Sequence, residues 1–181
     1  MERNNQRHLI EKCKNNDHRA QMKLYDLYCN AMFNTAFNFI KDDNIAQDVM
    51  QEAFIKAFKK IETYSEKASF GSWLKRIVIN QSLDWIKKQK LETVELNEDT
   101  VYLSNDEPLE VDSEISMATI FKCIEALPQK CKNVVKLYLI EGYDHQEVAQ
   151  ILEISEVSSR SQLSRGKNKL KELLIHTNYE S

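Results

Sequence analysis

The chain has very few of the residues that make tight turns. It contains three glycines and two prolines among 181 residues. A β-sandwich or barrel needs turn residues between its many short strands, and a Rossmann or P-loop nucleotide site needs a cluster of glycines. Neither requirement is met. The sequence therefore predicts an all-α protein and argues against nucleotide-dependent enzyme folds.

The remaining bulk properties suit a soluble protein of one domain or two small ones, with 42% apolar and 29% charged residues. The four cysteines, Cys13, Cys29, Cys123 and Cys131, form no C-x-x-C pair, so we expect no zinc site and no cofactor. The N-terminus is polar, and no stretch approaches the ~20 apolar residues that cross a bilayer. We therefore expect a cytoplasmic protein with reduced thiols and no membrane insertion.

Charge is distributed unevenly along the chain. Residues 1–90 carry sixteen basic and eleven acidic residues, residues 91–121 carry nine acidic and no basic ones, and residues 122–181 carry nine basic and eight acidic ones. The formal net charge of −3 thus arises from an acidic connector between two blocks. This connector is either a solvated, self-repelling linker or a segment that occupies a positively charged groove of a partner, as a nucleic acid would.

The first block contains two amphipathic helices. From Asn44 the segment NIAQDVMQEAFIKAFKKIETY has apolar pairs every four residues, and AQMKLYDLYCNAMFNTAFNFIK before it repeats the pattern through Leu24, Leu27 and Tyr28. The short separation KDDN predicts that the two helices pack antiparallel. The simplest interpretation of their aromatic stripe is a hydrophobic core, and the alternative is a ligand site.

A third helix is predicted from near Ser72, which we expect to be its N-cap, after a loop over residues 63–71. It combines Trp73 and Trp85 with lysines and an arginine. Basic residues interleaved with aromatic ones are typical of surfaces that bind single strands, because cations contact phosphates while rings stack on bases. Alternatively, both tryptophans belong to the core and the lysines are only solvated.

The last block has the pattern of a helix-turn-helix. Pro128 suits the start of one helix and Gly142 its end. Asp144 and Glu147 have the spacing of a capping box for HQEVAQIL, and Ser155 suits the N-cap of the final helix. In a helix-turn-helix the second helix enters the DNA major groove with its N-terminal half at the base edges.

The final helix is serine-rich and basic in the segment ISEVSSRSQLSRGKNKL. Arginine can bind guanine and glutamine can bind adenine through paired hydrogen bonds, while serines and backbone groups near a helix N-terminus bind phosphates. Leu163 and Leu170 are expected to hold the helix to its domain. The alternative is an amphipathic surface helix without a DNA partner.

In their order along the chain these segments resemble a bacterial sigma-70 family RNA polymerase sigma factor of the extracytoplasmic-function (ECF) group, over about residues 20–90 and 115–175. The residues Asp48, Gln51 and Glu52 match the family's D-x-x-Q-E pattern for docking on core polymerase. Its −10 element segment is matched by FGSWLKRIVINQSLDWIKK, with Trp73, Arg76, Asn80 and Asp84 in place. The −35 reading domain is matched by ALPQKCKNVVKLYLIEGYDHQEVAQILEIS and SQLSRGKNKL.

The resemblance implies an all-α protein of two helical domains that is not an enzyme. Region 2 would span residues 1–92, an acidic linker residues 93–114, and the region 4 helix-turn-helix residues 115–178. The implied partners are core RNA polymerase, promoter DNA as −35 duplex and −10 single strand, and an anti-sigma factor as a hypothesis. In relatives the linker threads a positively charged channel of the polymerase, and we favour that interpretation for residues 93–114.

Three sets of site residues follow from the resemblance. Core polymerase binding is expected of Asp48, Gln51, Glu52 and Ile55. Binding of the −10 strand is expected of Phe70, Trp73, Lys75, Arg76, Asn80, Asp84 and Lys87, with Asn80 on a base edge. Binding of the −35 duplex is expected of Ser158, Ser159, Arg160, Ser161, Gln162, Ser164, Arg165 and Lys167.

The helix-turn-helix departs from the family at four positions, one in the turn and three in the final helix. A glycine is usual where Glu153 and Val157 stand, an apolar residue where Ser159 stands, and a basic residue where Gln162 stands. Glu153 would therefore have to adopt a left-handed conformation, and the base preference at the −35 element does not transfer from relatives. Two other functions stay open at this point, a stand-alone helix-turn-helix regulator and a sigma-like interaction protein that does not read DNA.

Overall fold

A computed structural model describes residues 2–92 and 115–179, and within these ranges it contains α-helices and no strand. The predicted all-α class is thus confirmed. The helices are α1 Glu2–Lys14, α2 His18–Ile40, α3 Asp43–Lys59, α4 Phe70–Glu92, α5 Met117–Glu125, α6 Gln129–Val135, α7 His145–Leu152 and α8 Glu156–Tyr179. A 3₁₀ turn covers Ile61–Thr63 and a π-helical turn covers Lys136–Ile140. No helix in the described ranges is long and apolar enough to cross a bilayer.

The chain divides between Leu96 and Asn97 into two compact units. The first contains α1–α4 and the second α5–α8. The acidic linker predicted over residues 93–114 lies outside the described residues.

Helices α2, α3 and α4 pack on one another and form the core of the first unit. The predicted break between α2 and α3 is confirmed: Lys41 adopts φ 59° and ends α2, and the Asp42 side chain accepts a hydrogen bond of 3.0 Å from the Ile45 amide. Ala46, Ala53 and Ala57 of α3 are fully buried. These small side chains let neighbouring helices approach α3 closely.

The aromatic stripe of the first unit is core, as its simplest interpretation predicted. Phe54 is buried and its ring centroid lies 4.8 Å from that of Tyr25. Leu27, however, was expected on the apolar face of α2 and is 63% exposed. Leu27 lies just beyond the edge of the buried stripe that contains Leu24 and Ala36. The four-residue pattern therefore predicted a buried side of α2 that is wider than the observed one.

The start of α4 differs from the prediction. The helix begins at Phe70, and the Ser69 side chain accepts a hydrogen bond of 3.1 Å from the Ser72 amide. Ser69 is therefore the capping residue, and Ser72 lies in the first turn, where its hydroxyl is 2.8 Å from that of Ser69. Both serines have the right chemistry for a cap, and the packing of Phe70 into the core selects the earlier one.

The helix-turn-helix of the second unit is confirmed in its local details. Asp144 and Glu147 form the capping box of α7, Gly142 adopts φ 78°, and the Ser155 hydroxyl accepts a 3.1 Å hydrogen bond from the Ser158 amide. Glu153 has φ 57° in the turn, so this glutamate does adopt the left-handed conformation expected of it. Such a conformation costs a non-glycine residue roughly 1–2 kcal/mol.

Helix α8 packs against α5, α6 and α7. Leu163 and Leu170 are buried, as predicted. Gly166 lies against α6, where an added β-carbon would be only 2.6 Å from Val135 Cγ2. A side chain at this crossing would require Val135 to shift.

A buried lysine in the second unit was not predicted from the sequence. Lys136 lies in the π-helical turn with a side chain 2% exposed, and its Nζ is 2.8 Å from Glu125 Oε1. Lys132 approaches the same carboxylate at 3.6 Å. The ion pair joins α5 to the helix that leads into the helix-turn-helix.

We expect Glu125→Gln to lower the free energy of unfolding by about 2–3 kcal/mol, because it leaves the Lys136 ammonium buried without its counter-charge. Lys136→Met should cost much less, since an apolar side chain of similar length fills the same space. Chemical denaturation followed by circular dichroism measures both. The matched control is Glu172→Gln, which removes an exposed ion pair with Lys169 and should change stability by less than about 0.5 kcal/mol. Equal effects of Glu125→Gln and Glu172→Gln would contradict a structural role for the buried pair.

Candidate functional site

One side of α3 presents the four residues expected to dock on a partner. Asp48, Gln51, Glu52 and Ile55 are spaced three and four residues apart, which places them together on a helix. All four are exposed, and Ile55 is 56% exposed although it is a large apolar residue. The opposite side of α3 is buried through Ala46, Val49, Met50, Ala53 and Ala57. We call Asp48, Gln51, Glu52 and Ile55 the α3 face.

A residue of α4 holds one carboxylate of the α3 face. Gln81 Nε2 donates to Glu52 Oε2 at 2.8 Å, and Lys56 Nζ donates to Gln81 Oε1 at 3.2 Å. Gln81 thus bridges an acid and a base of α3. The sequence contains no signal for this role, because the bridge exists only once α3 and α4 have packed together.

A second set of predicted residues forms a stripe along α4. Trp73, Arg76, Asn80, Asp84 and Lys87 follow one another at intervals of three or four residues, and at about 3.6 residues per turn they share one side of the helix. Asp84 and Lys87 are exposed, and the other three are half-buried. We call these five residues the α4 stripe. The side of α4 away from it contains the buried residues Leu74, Val78 and Ile79.

Two residues expected at this site do not join the stripe. Phe70 is 2% exposed, and its ring centroid lies 5.5 Å from those of Tyr28, Tyr64 and Trp73. It is a core residue, so the expectation that it contacts DNA is not carried forward. Lys75 is half-buried and follows Leu74 on the side of α4 that faces the core. It is not part of the α4 stripe.

The two tryptophans of α4 were interpreted from the sequence either as part of a strand-binding surface or as core residues, and they have features of both. Each is half-buried and packs against the hydrophobic core. The ring of Trp73 lies 5.5 Å from those of Tyr64 and Phe70, which holds it in place. Trp73 therefore contributes to packing and still has an accessible portion on the stripe.

The N-terminal half of α8 presents a polar surface made by six of the eight residues expected there. Arg160 is exposed, and Ser158, Ser161, Gln162, Arg165 and Lys167 are half-buried. Gln162 Nε2 donates to Ser158 Oγ at 2.9 Å, and Arg160 lies 3.7 Å from Glu156. These six residues are called the α8 surface. Their side chains hold hydrogen-bond donors in positions from which a DNA groove can be read.

The other two serines of α8 are buried. Ser159 is fully buried, with its Oγ 2.9 Å from His145 Nδ1 of α7, and Ser164 is 4% exposed. Their predicted contact with DNA is not carried forward, because α5, α6 and α7 cover more of α8 than a single packed face would. Ser159 instead joins the two helices of the helix-turn-helix. The centroid of the His145 ring also lies 4.5 Å from that of Tyr138, with the two planes tilted by 30°.

Arg165 is the most enclosed cation that the α8 surface contains, being half-buried with a buried Nε. Its Nε is buried and has no hydrogen-bond partner within the described part of the chain. Burial raises the pKa of the nearby Cys131 thiol, and the positive charge of the Arg165 guanidinium partly opposes this shift.

Comparisons with known families agree with this geometry. The model of Sigma-70 region 2 matches residues 24–92, and that of Sigma-70 region 4 matches residues 118–170. Together the two models cover about two thirds of the chain, one in each compact unit. The chain belongs to the ECF group of the sigma-70 family of RNA polymerase sigma factors.

Curated relatives span nearly the same length. The chain is 28% identical to the ECF RNA polymerase sigma factor SigW of Bacillus subtilis (strain 168), over 91% of this chain and 94% of that protein. It is 25% identical to the ECF RNA polymerase sigma-E factor of Escherichia coli (strain K12), over 88% of each chain. Promoter-directed transcription initiation is accordingly the function of the chain. A stand-alone helix-turn-helix regulator would leave the match to region 2 unexplained.

Solved structures share the fold. CnrH, solved in complex with the cytosolic domain of CnrY, matches with a TM-score of 0.59 and 21% identity over 94% of this chain and 97% of that one. The sigma factor RpoE of Bartonella quintana, solved in complex with the anti-sigma factor NepR, matches with a TM-score of 0.59 and 19% identity over 85% of this chain and 96% of that one. Both likenesses support the all-α, two-unit architecture.

The burial of α8 predicts that its serines differ in role. Ser159→Ala should lower the free energy of unfolding by about 1 kcal/mol, because His145 loses its buried hydrogen-bond partner. Ser161→Ala is the matched control and should change stability by less than about 0.5 kcal/mol. Urea denaturation of the two variants measures the difference. A Ser159 variant as stable as the Ser161 variant would show that the bond to His145 contributes nothing.

Proposed function

We propose that three surfaces divide promoter recognition among them. The α3 face docks on core RNA polymerase, the α4 stripe binds the unpaired −10 strand, and the α8 surface reads the −35 duplex. The proposed domains are region 2 over residues 1–92 and region 4 over residues 115–178, with residues 93–114 as a linker in a positively charged channel of the polymerase. The α3 face carries this proposal, because DNA binding alone does not account for an exposed face that combines carboxylates with an apolar side chain.

The chemistry of the α3 face suits a basic partner. Asp48 and Glu52 present two carboxylates one turn apart, and Ile55 continues the same face with an exposed apolar side chain. Complementary charge orients an encounter and raises its rate, while a desolvated apolar contact supplies affinity at the centre of an interface. By family resemblance the partner is a basic coiled-coil of the polymerase clamp.

We expect the double variant Asp48→Arg/Glu52→Arg to lower affinity for sigma-free core polymerase by at least about a hundredfold, since each buried like-charge contact costs several kcal/mol. Fluorescence anisotropy of the labelled protein with core polymerase measures this affinity.

Two controls separate docking from folding. Gln81→Ala breaks the bridge to Glu52 without changing the α3 face, so it should bind polymerase nearly as tightly as the wild type. Glu62→Arg makes the same kind of charge change at an exposed site in the 3₁₀ turn outside α3, and it should also bind normally. Wild-type affinity in the double variant would contradict the proposed docking surface.

The α4 stripe has the groups that an unpaired base requires. The Asn80 amide can donate to and accept from a base edge, Trp73 offers part of an aromatic ring for stacking, and Arg76 and Lys87 can bind the backbone. Extruding a base costs a few kcal/mol. Contacts along the stripe have to offset that cost when the strands separate.

We expect Asn80→Ala to reduce open-complex formation at a cognate promoter by about tenfold and to relax base preference at one −10 position, because it removes the group that reads the base edge. Permanganate footprinting of the holoenzyme on promoters with each base at that position measures both effects. Lys87→Ala is the comparison: a phosphate contact should weaken binding uniformly across sequences and reduce its salt dependence. Unchanged base preference in Asn80→Ala would remove Asn80 from the reading role.

Further proposals rest on the family resemblance. The chain acts without catalytic chemistry of its own and works inside the cell, where RNA polymerase and promoter DNA are found. An anti-sigma factor is the proposed inhibitory partner. The same binding assay tests it, since a bound inhibitor should compete with core polymerase.

A further inference from the structure

The first turn of α8 holds an exposed apolar side chain that the fold does not use. Val157 is 73% exposed, the highest value among the exposed large hydrophobic residues in the described ranges. A β-branched residue is also a weaker helix former than alanine, by up to about 0.7 kcal/mol. Neither burial nor helix propensity therefore accounts for a valine at this position.

Val157 lies on the same exposed side of α8 as part of the α8 surface. Val157 precedes Arg160 by three residues and Ser161 by four, so the three share one side of α8. Leu163 and Leu170 lie on the other side and are buried. In a helix-turn-helix, residues at the N-terminal end of the second helix are those that meet base edges.

The neighbouring charge favours a base edge over a phosphate as the partner of Glu156 and Val157. Glu156 precedes Val157 and lies 3.7 Å from Arg160. A carboxylate is repelled by the phosphate backbone but can accept a hydrogen bond from cytosine N4 in the groove. A valine has no hydrogen-bonding group, so it can contribute only an apolar contact.

Thymine presents a C5-methyl group in the major groove, which is the apolar feature that distinguishes it there. We propose that Val157 is a specificity-determining residue that packs on the 5-methyl group of one thymine in the −35 element. This proposal rests on the assignment of α8 as the −35 reader. It concerns a position at which this chain departs from the glycine usual in the family, so the preference belongs to this chain.

The test uses holoenzyme formed with core polymerase from the source organism. Selection from promoters with a randomised −35 region first yields the preferred duplex. Each thymine of that duplex is then replaced by deoxyuridine, which removes the 5-methyl group and leaves base pairing unchanged. Affinities of the wild type, Val157→Ala, Arg160→Ala and Ile175→Ala are measured by competition for each duplex. Ile175 is an exposed apolar residue near the far end of α8 and serves as the matched control.

We expect one deoxyuridine position to weaken wild-type binding by about three- to fivefold, as the loss of one buried methyl group implies. Val157→Ala should bind the thymine duplex more weakly by a similar factor and lose its sensitivity at that position alone. Arg160→Ala and Ile175→Ala should keep that sensitivity.

Two outcomes overturn the inference in distinguishable ways. If selection yields a −35 sequence but every deoxyuridine effect is the same in Val157→Ala as in the wild type, then α8 reads DNA without Val157 and only this inference fails. If selection yields no −35 preference at all, the proposed −35 function of α8 fails, and the inference falls with it.

Discussion

The position of α8 depends on the close contact between Gly166 and α6. An added β-carbon at Gly166 would lie 2.6 Å from Val135 Cγ2, so a side chain there would require the buried Val135 to shift. Protein interiors are packed densely enough that a displacement of this kind is transmitted to neighbouring side chains. The crossing at Gly166 thereby constrains how closely α8 packs on α6. That packing, with the contacts to α5 and α7, in turn decides which residues of the serine-rich segment face outward.

Features that do not depend on packing between helices were predicted correctly from the sequence. Caps and turns are local: Asp144, Glu147 and Ser155 bond to amides a few residues away, and Gly142 needs only its own φ angle. The α3 face was also predictable, because one side of α3 is buried and the opposite side is exposed. Pattern and neighbours along the chain contain the information for such features.

The misassigned residues depend on contacts between helices. Phe70 was grouped with the −10 residues, but three aromatic rings around it make it core. Ser159 and Ser164 have the chemistry of DNA-contacting residues and are buried because three helices pack on α8. Gln81 and Lys136 were missed for the same reason, since their roles arise from pairing with Glu52 and Glu125 on other helices. A sequence motif identifies the helix that carries a function, and tertiary packing selects which of its residues take part.

Some departures from the family pattern are accommodated by the fold itself, and one is not. Glu153 accepts a left-handed conformation, and the capping box and the Ser155 cap nevertheless form around it, so the turn tolerates a strained residue. Ser159 replaces an apolar residue, and its hydroxyl is satisfied by His145, which keeps the buried site polar without leaving a donor or acceptor unpaired. Val157 has no such compensation within the fold. A substitution that the protein's own packing neither requires nor compensates is best explained by what lies outside the protein. For the first turn of the helix that we propose as the −35 reader, that is the edge of a base pair.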